Sequence, residues 1–258
     1  MIKTKRKTDL KTGINVMNEI LRQLYDRKSV RVYTEQAIEE EIVQEILRAA
    51  VMAPTAGNQQ FYTILRITDP SLLEKLADTC DHQPFIAKGK LVLLFCADCR
   101  KWYEAFRIAG CEPRHPGEGD LLIAVNDALI AAQNAVVAAQ SYGIGSCYIG
   151  DIMENIEVHR DLLGLPDYVF PAALLVFGYP TEQQKERKKP ERFAMEHIVF
   201  ENRYPHIDEA ELVEMMKNKS GKEEPVSWLQ AFCRRKYNSD FARELTRSVG
   251  KYLEQFKE

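Results

Sequence analysis

Five consecutive residues, Arg27-Lys28-Ser29-Val30-Arg31, put three cations and a hydroxyl at what reads as a turn after an amphipathic helix. Guanidinium groups offer forked donors to tetrahedral oxygens and serine adds a short hydrogen bond, so this stretch could bind an anion, phosphate first. The same composition also suits a solvated helix end, where cations offset the negative pole of the helix dipole. A second cationic run, Lys185-Glu186-Arg187-Lys188-Lys189-Pro190-Glu191-Arg192, reads by itself as plain surface; it is short, and Glu186 and Glu191 break it as a nucleic-acid patch. Cys96-x-x-Cys99 with Cys111 and His115 has the ligand types of a zinc site, although Cys96 falls inside an apolar run. His82, His159, His197 and His206 stand without ligand or triad spacing. No G-x-G-x-x-G, Walker A, H-E-x-x-H or EF-hand loop is present, and Gly143-x-Gly145 with Gly150 has the wrong spacing for a dinucleotide fingerprint.

The elements that must position these residues follow from periodicity. A helix is expected over Asn15 to Asp26, with Val16, Ile20 and Leu24 at i+4 spacing, and a second over Ile38 to Met52, stopped by Pro54. Phe61 to Ile67 alternates as a strand, Ser71 to Thr79 returns as a short helix, and Leu91 to Ala97 is an apolar run suited to a strand buried on both faces. Residues 99–119 read as an irregular lid-like loop. Leu121 to Ser141 is apolar around nearly its whole circumference, which predicts a buried central helix that can also pack against its twin in a dimer. Strands are expected at Ser146 to Gly150 and Ala172 to Tyr179, a helix between them near Glu157 to Leu163, a linker over 217–225 and a terminal amphipathic helix through Phe241, Leu245, Val249, Leu253 and Phe256.

The chain has 258 residues and a net charge of −3, which gives no general attraction to polyanions, so nucleic acid is not an expected partner. No apolar run is read as approaching the ~20 residues of a membrane span. Residues 1–18 lack the apolar stretch of a secretory signal, and the six scattered cysteines fit reduced thiols, so a cytoplasmic location is expected.

The turn Arg27-Lys28-Ser29-Val30-Arg31, paired with the loop Ala53-Pro54-Thr55-Ala56-Gly57-Asn58-Gln59-Gln60, resembles the opening of the nitroreductase family of FMN-dependent oxidoreductases. The resemblance covers roughly residues 20–205, and its later blocks are most similar to the NADPH-dependent nitro and flavin reductase branch. It implies an α+β fold, a central mostly antiparallel sheet flanked by helices, with a long central dimerisation helix. Also implied are a flexible N-terminus (1–14), an FMN-binding domain (15–205) and a C-terminal helical extension (206–258). Arg27, Ser29, Lys185 and Arg187 would then meet the FMN phosphate, with Lys188 and Lys189 as alternatives to the last two, Lys28 would be a further cofactor-binding residue, and Arg31 would reach the pyrimidine edge. Pro54, Thr55, Asn58 and Gln59 would contact the ring, some from the partner subunit; Gln83 and the strand Tyr148-Ile149-Gly150 would lie along it. The implied activity is ping-pong hydride transfer from NAD(P)H to nitroaromatics, quinones or flavins in a homodimer, the flavin carrying the chemistry without a protein acid-base pair. A flavin-binding protein for storage or sensing, without turnover, is the alternative.

Overall fold

The computed structural model describes residues 17–257; the expected flexible N-terminus (1–14) and the first residues of the helix expected from Asn15 lie outside them. Helix α1 (Glu19–Asp26) is capped by Asn18, whose side chain accepts the Leu21 N–H at 2.9 Å. Helix α2 (Glu40–Val51) ends ahead of Pro54, and a 3₁₀ turn (Ala56–Asn58) leads into β1 (Tyr62–Arg66). Helix α3 (Pro70–Thr79) has proline at its first position, where the missing N–H costs nothing. Strand β2 (Leu91–Asp98) is followed by α4 (Arg100–Ile108), the long α5 (Glu118–Ser141), β3 (Gly145–Ile149), α6 (Ile156–Leu163) and β4 (Val169–Gly178). The chain closes with α7 (Glu182–Glu186), α8 (Glu209–Ser220), α9 (Val226–Phe232) running into a π-turn (Cys233–Tyr237), and α10 (Asp240–Leu253).

The four strands form one sheet in the order β1-β2-β4-β3, every pair antiparallel. Strand β2 is buried throughout and alternates between two cores: Leu91, Leu93, Phe95 and Ala97 face α2 and α5, while Val92, Leu94 and Cys96 face α3. Pro171 would break a regular ladder in a central strand; it sits where the β2–β4 register slips between Phe95 and Cys96, the kind of bulge that tolerates a residue with no N–H to give. Helix α5 lays Leu121, Ala124, Ala128, Ala131, Ala132, Ala135 and Ala139 on the first core, and its run of alanines lets it lie close to the sheet. Helix α10 is part of that core: Tyr252 is fully buried with its ring edge-on to Phe170 at 5.0 Å, and Phe256 packs edge-on to Tyr168.

The α+β class, the antiparallel sheet and the long central helix match the expectation; four local readings do not. Residues 99–119 are not all loop, because α4 fills 100–108, with Asp98 accepting the Arg100 and Lys101 N–H groups at 3.1 and 3.2 Å as its cap. The expected linker begins late: Lys217 to Ser220 form the last turn of α8, and Gly221, at φ 67°, ends it. Helix α5 is not buried all round, since Leu122, Ile123, Leu129 and Ile130 stay on an outer stripe; α1 likewise exposes Ile20 and Leu24, with Met17 exposed just ahead of it. Finally, α5 is long and apolar enough to cross a membrane by length and composition, although here its inner face packs on the sheet and α2.

Candidate functional site

The turn after α1 is drawn against the sheet edge by the Val30 N–H, which donates to the Ser146 carbonyl at 2.9 Å, and by a parallel bridge between Ser29 and Ser146. Gly145 is required opposite it, because a Cβ there would stand 2.6 Å from the Val30 side chain. Arg27 lies over the Tyr148 ring, guanidinium to centroid 5.7 Å, at the C-terminal half of α5 beside Val136 and Gln140. Its Nε and Nη2 are buried and have no hydrogen-bond partner among the described residues. A buried cation with unpaired donors is costly, and an anion of ligand origin is the simplest partner for it. Arg31 points elsewhere, over the Phe85 ring at 5.9 Å. Both arginines act on the Cys147 thiol between them: burial raises its pKa, and Arg31, the Ser29 hydroxyl and Arg27 oppose the rise.

The second cationic run folds onto the first. Lys28 Nζ donates to the Lys185 carbonyl at 2.5 Å and to that of Arg187; the Arg187 guanidinium donates to the Ser29 carbonyl, and Lys189 Nζ to the Tyr25 carbonyl at 2.6 Å. The two halves of the expected clamp therefore meet, but its lysines use their ammonium groups as ties: Lys28 caps the last carbonyls of α7, and Lys185 pairs with Glu182 at 2.6 Å. Lys188 pairs with Glu191 at 3.0 Å. Gln83 joins the neighbourhood of Arg31 through the same turn as Phe85; its amide donates to the Cys80 carbonyl at 2.8 Å and reaches Asp151, next to Gly150. In β3, Ile149 is buried against α3, and the Tyr148 hydroxyl donates to Gln133 of α5 at 3.3 Å.

The loop from Pro54 to Gln60 stands apart from this cluster. Gly57, Asn58 and Gln60 all take left-handed backbone, φ 56°, 56° and 51°, a concentration that persists only where surroundings hold it. Asp127 of α5, 3% exposed, supplies the hold by accepting the Ala56 N–H at 3.0 Å and the Phe61 N–H at 3.3 Å. The Trp102 indole N–H donates to the Gln59 carbonyl at 2.6 Å, and Thr55 Oγ1 accepts the Gln60 N–H at 3.3 Å. Neither Asp127 nor Trp102 is given a site role by the sequence reading; a single carboxylate on the inner face of an apolar helix was the available signal. From Asp127 to Val136 or Gln140 is nine to thirteen residues of α5, about 14 to 20 Å. Between the loop and α4 opens a cavity of about 620 Å³.

The suggested zinc ligands do not converge. Cys96 is fully buried in β2, its thiol pushed up to about 12 by burial, and His115 turns to two tyrosines, 2.9 Å from Tyr168 Oη and 3.2 Å from Tyr103 Oη. Among the described residues no three His, Cys, Asp or Glu side chains stand where they could share a metal ion.

Over this antiparallel four-stranded sheet and its long inner helix, a family model described as the Nitroreductase family matches residues 24–179. The chain belongs to the nitroreductase family. Among its curated relatives, a Bacillus subtilis protein named FMN reductase (NAD(P)H) is 31% identical over 231 residues, covering 83% of this chain and 90% of its own length. The oxygen-insensitive NADPH nitroreductase of Salmonella typhimurium is 32% identical over 194 residues, 75% of this chain and 78% of that protein. Of solved structures, nitroreductase A from Vibrio parahaemolyticus superposes with a TM-score of 0.79 at 26% identity, covering 94% of this chain and 100% of that one.

Proposed function

We propose that this chain binds FMN and works as an NAD(P)H-dependent oxidoreductase on small electron-poor acceptors, nitroaromatics, quinones or flavins, by a ping-pong cycle. The observation that carries the cofactor reading is the Arg27 guanidinium, whose Nε and Nη2 are buried without a hydrogen-bond partner among the described residues, in one turn with Lys28 and Ser29, where the second cationic run is tied. A phosphate carries about −1.5 to −2 charges and three acceptor oxygens, which suits that donor set. In this reading Arg27 and Arg187, with the Ser29 hydroxyl, hold the phosphate, while Lys28 and Lys185 shape the cradle. Arg31, Gln83, Tyr148, Ile149 and Gly150 attend the ring, and Pro54, Thr55, Asn58 and Gln59 approach it from the partner subunit.

Bound FMN supplies two-electron hydride chemistry between a nicotinamide donor and the acceptor. The chain's own residues bind, orient and screen. Arg31 fixes a positive charge near the redox-active part of the site, and the Asp127-braced loop closes over it. The domain reading is an FMN-binding unit over 15–205 with 206–258 as a helical extension whose last helix is stapled back onto it. We place the protein in the cytoplasm as a homodimer joined along the outer stripe of α5. The separation of the Arg27 cluster from the 54–60 loop along α5 supports sites shared between two chains.

The test is direct. Purified protein should be yellow, release FMN on denaturation, oxidise NADPH or NADH steadily with a quinone, and give parallel double-reciprocal lines. A colourless protein that takes up no added FMN removes the cofactor reading, and a yellow protein that oxidises neither nicotinamide is a flavin-binding protein without turnover.

A further inference from the structure

Where β3 ends, a 3₁₀ turn (Asp151–Met153) follows Gly150 directly, and the Glu154 N–H closes it on the Asp151 carbonyl at 3.0 Å. Residues three apart in such a turn stack on one side, so the Asp151 and Glu154 side chains share a face. Asp151 is half-buried and accepts a hydrogen bond from the Gln83 amide, whose other tie is the Cys80 carbonyl at 2.8 Å. Glu154 is 6% exposed and makes no side-chain hydrogen bond or ion pair among the described residues. The pair adjoins the arginine cluster, because the buried Cys147 thiol lies within electrostatic reach of Arg31, Arg27 and Asp151 alike.

The groups that face the pair are mostly of its own sign. Asp81 reaches it from the turn after α3, and Glu244 from α10, the latter already bound to Arg247 at 2.8 Å. Lys236 of the π-turn faces Asp151 as a cation. His159 of α6 is kept neutral by burial, with its ring held between the Ile152 carbonyl at 3.0 Å and the Thr79 hydroxyl at 2.9 Å. The Cys80 and Cys147 thiols are raised by burial and stay protonated. Two carboxyls on one enclosed face resist ionising together, so one of them keeps a proton that a lone carboxylate would shed. Burial raises Glu154 first and its acidic neighbours add to the rise, while burial raises Asp151 against its own turn's N–H and the Gln83 amide.

We propose that Asp151 and Glu154 hold one exchangeable proton between them and serve as a redox-linked proton store behind Gln83, positioning residues that set the charge of the site without touching the ring. The inference deepens the proposed function and rests on it for the placement of Gln83 and Gly150 beside the cofactor. Hydride from the nicotinamide brings two electrons and one proton and leaves the site one charge more negative. That charge favours an O–H bond on the carboxyl pair, formed with a proton from water. When hydride passes on to a quinone the charge leaves, the O–H bond breaks with its electron pair kept by the carboxylate, and the proton returns to water. The quinone takes its second proton from that water, so NAD(P)H, one proton and quinone become NAD(P)⁺ and hydroquinone.

The test is the pH dependence of the bound-flavin potential, read by spectroelectrochemistry on flavin-saturated holoenzyme. One extra proton taken up with two electrons shifts the equilibrium tenfold per pH unit, about 30 mV. Upward from about pH 7, where Glu154 titrates, the wild-type potential should fall about 30 mV per pH unit more steeply than that of Glu154→Gln, which keeps the shape and cannot titrate. Asp151→Asn removes a like charge and should move the steep segment to lower pH. Without any turnover, the infrared difference between electrochemically reduced and oxidised holoenzyme above that pH should show a carboxylic-acid C=O band that shifts in D₂O and is lost in Glu154→Gln. Parallel lines for wild type and Glu154→Gln with no acid band, in a yellow protein that NADPH still reduces, overturn the proton store and leave the oxidoreductase standing. A steep segment unmoved by Asp151→Asn overturns the shared proton, and a protein that takes up no FMN removes the proposed function along with it.

Discussion

Two arginines four residues apart are set to do different work. Arg27 is enclosed against Tyr148 and α5, its Nε and Nη2 without partners among the described residues, whereas Arg31 lies over Phe85 beside the Gln83 turn. Arg27→Met keeps the volume and removes the charge. It should weaken FMN binding about tenfold or more, near 1.4 kcal/mol per decade, yet stabilise the flavin-free protein by about 1–2 kcal/mol by removing an unpaired buried cation. Urea titrations with and without FMN read the two signs separately. Arg31→Ala should instead lower the bound-flavin potential by roughly 30–60 mV, since a cation near the ring favours the more negative reduced form. Spectroelectrochemistry on flavin-saturated samples checks it; an unmoved potential with lost affinity would assign Arg31 to the phosphate end.

At the scale of elements, α10 closes against the turn between β3 and α6. Ser248 Oγ donates to the Met153 carbonyl at 2.7 Å and accepts the Ile156 N–H at 3.0 Å, and Glu244 accepts the Asn155 N–H at 3.1 Å. Glu154, 6% exposed in that turn, is pushed up to about 7 from its ordinary 4.5 by burial and by the facing carboxylates of Asp151, Asp81 and Glu244. A carboxyl whose folded pKa is raised stabilises the fold while protonated, so its contribution is full below pH 4.5 and is lost as pH rises through about 7. Glu154→Gln should thus match wild type near pH 4.5 and exceed it at pH 8 by up to about 3 kcal/mol, measured by urea unfolding at both values. None of this was legible in the sequence, because Asp81, Glu154 and Glu244 are brought together only by tertiary packing. The sheet and α5 were legible, since the apolar run Leu91 to Ala97 and the alanine-rich Leu121 to Ser141 declare their burial locally. Helix α4 was not: Trp102, Tyr103 and Phe106 among charged residues read as a loop, and the Asp98 cap that starts the helix is itself buried at 6% exposure. The two cationic stretches meet in the fold, but ammonium groups satisfied by carbonyls, as at Lys28 and Lys189, cannot be told from ligand contacts by residue type alone.

For the whole molecule, the outer stripe of α5 and the exposed apolar face of α1 ask for cover. Stable homodimers bury upwards of ~2,000 Å² and resemble a core cut in half. If the proposed dimer forms along this stripe, Leu129→Glu combined with Ile130→Lys should split it and release flavin together, seen as a halved mass by sedimentation and a rise in free FMN fluorescence; a monomer that retains flavin would refute the shared site. The Arg27 guanidinium, with Nε and Nη2 lacking a partner among the described residues, reaches further than the proposed cofactor site. A ligand held only by the folded form adds about 2.7 kcal/mol when present at a hundred times its dissociation constant, and here it also relieves a standing penalty. Chains made while flavin is scarce would open more often and be cleared by proteases sooner. The standing amount of this enzyme in its host would then follow the supply of the vitamin from which its cofactor is made, with no change in gene expression.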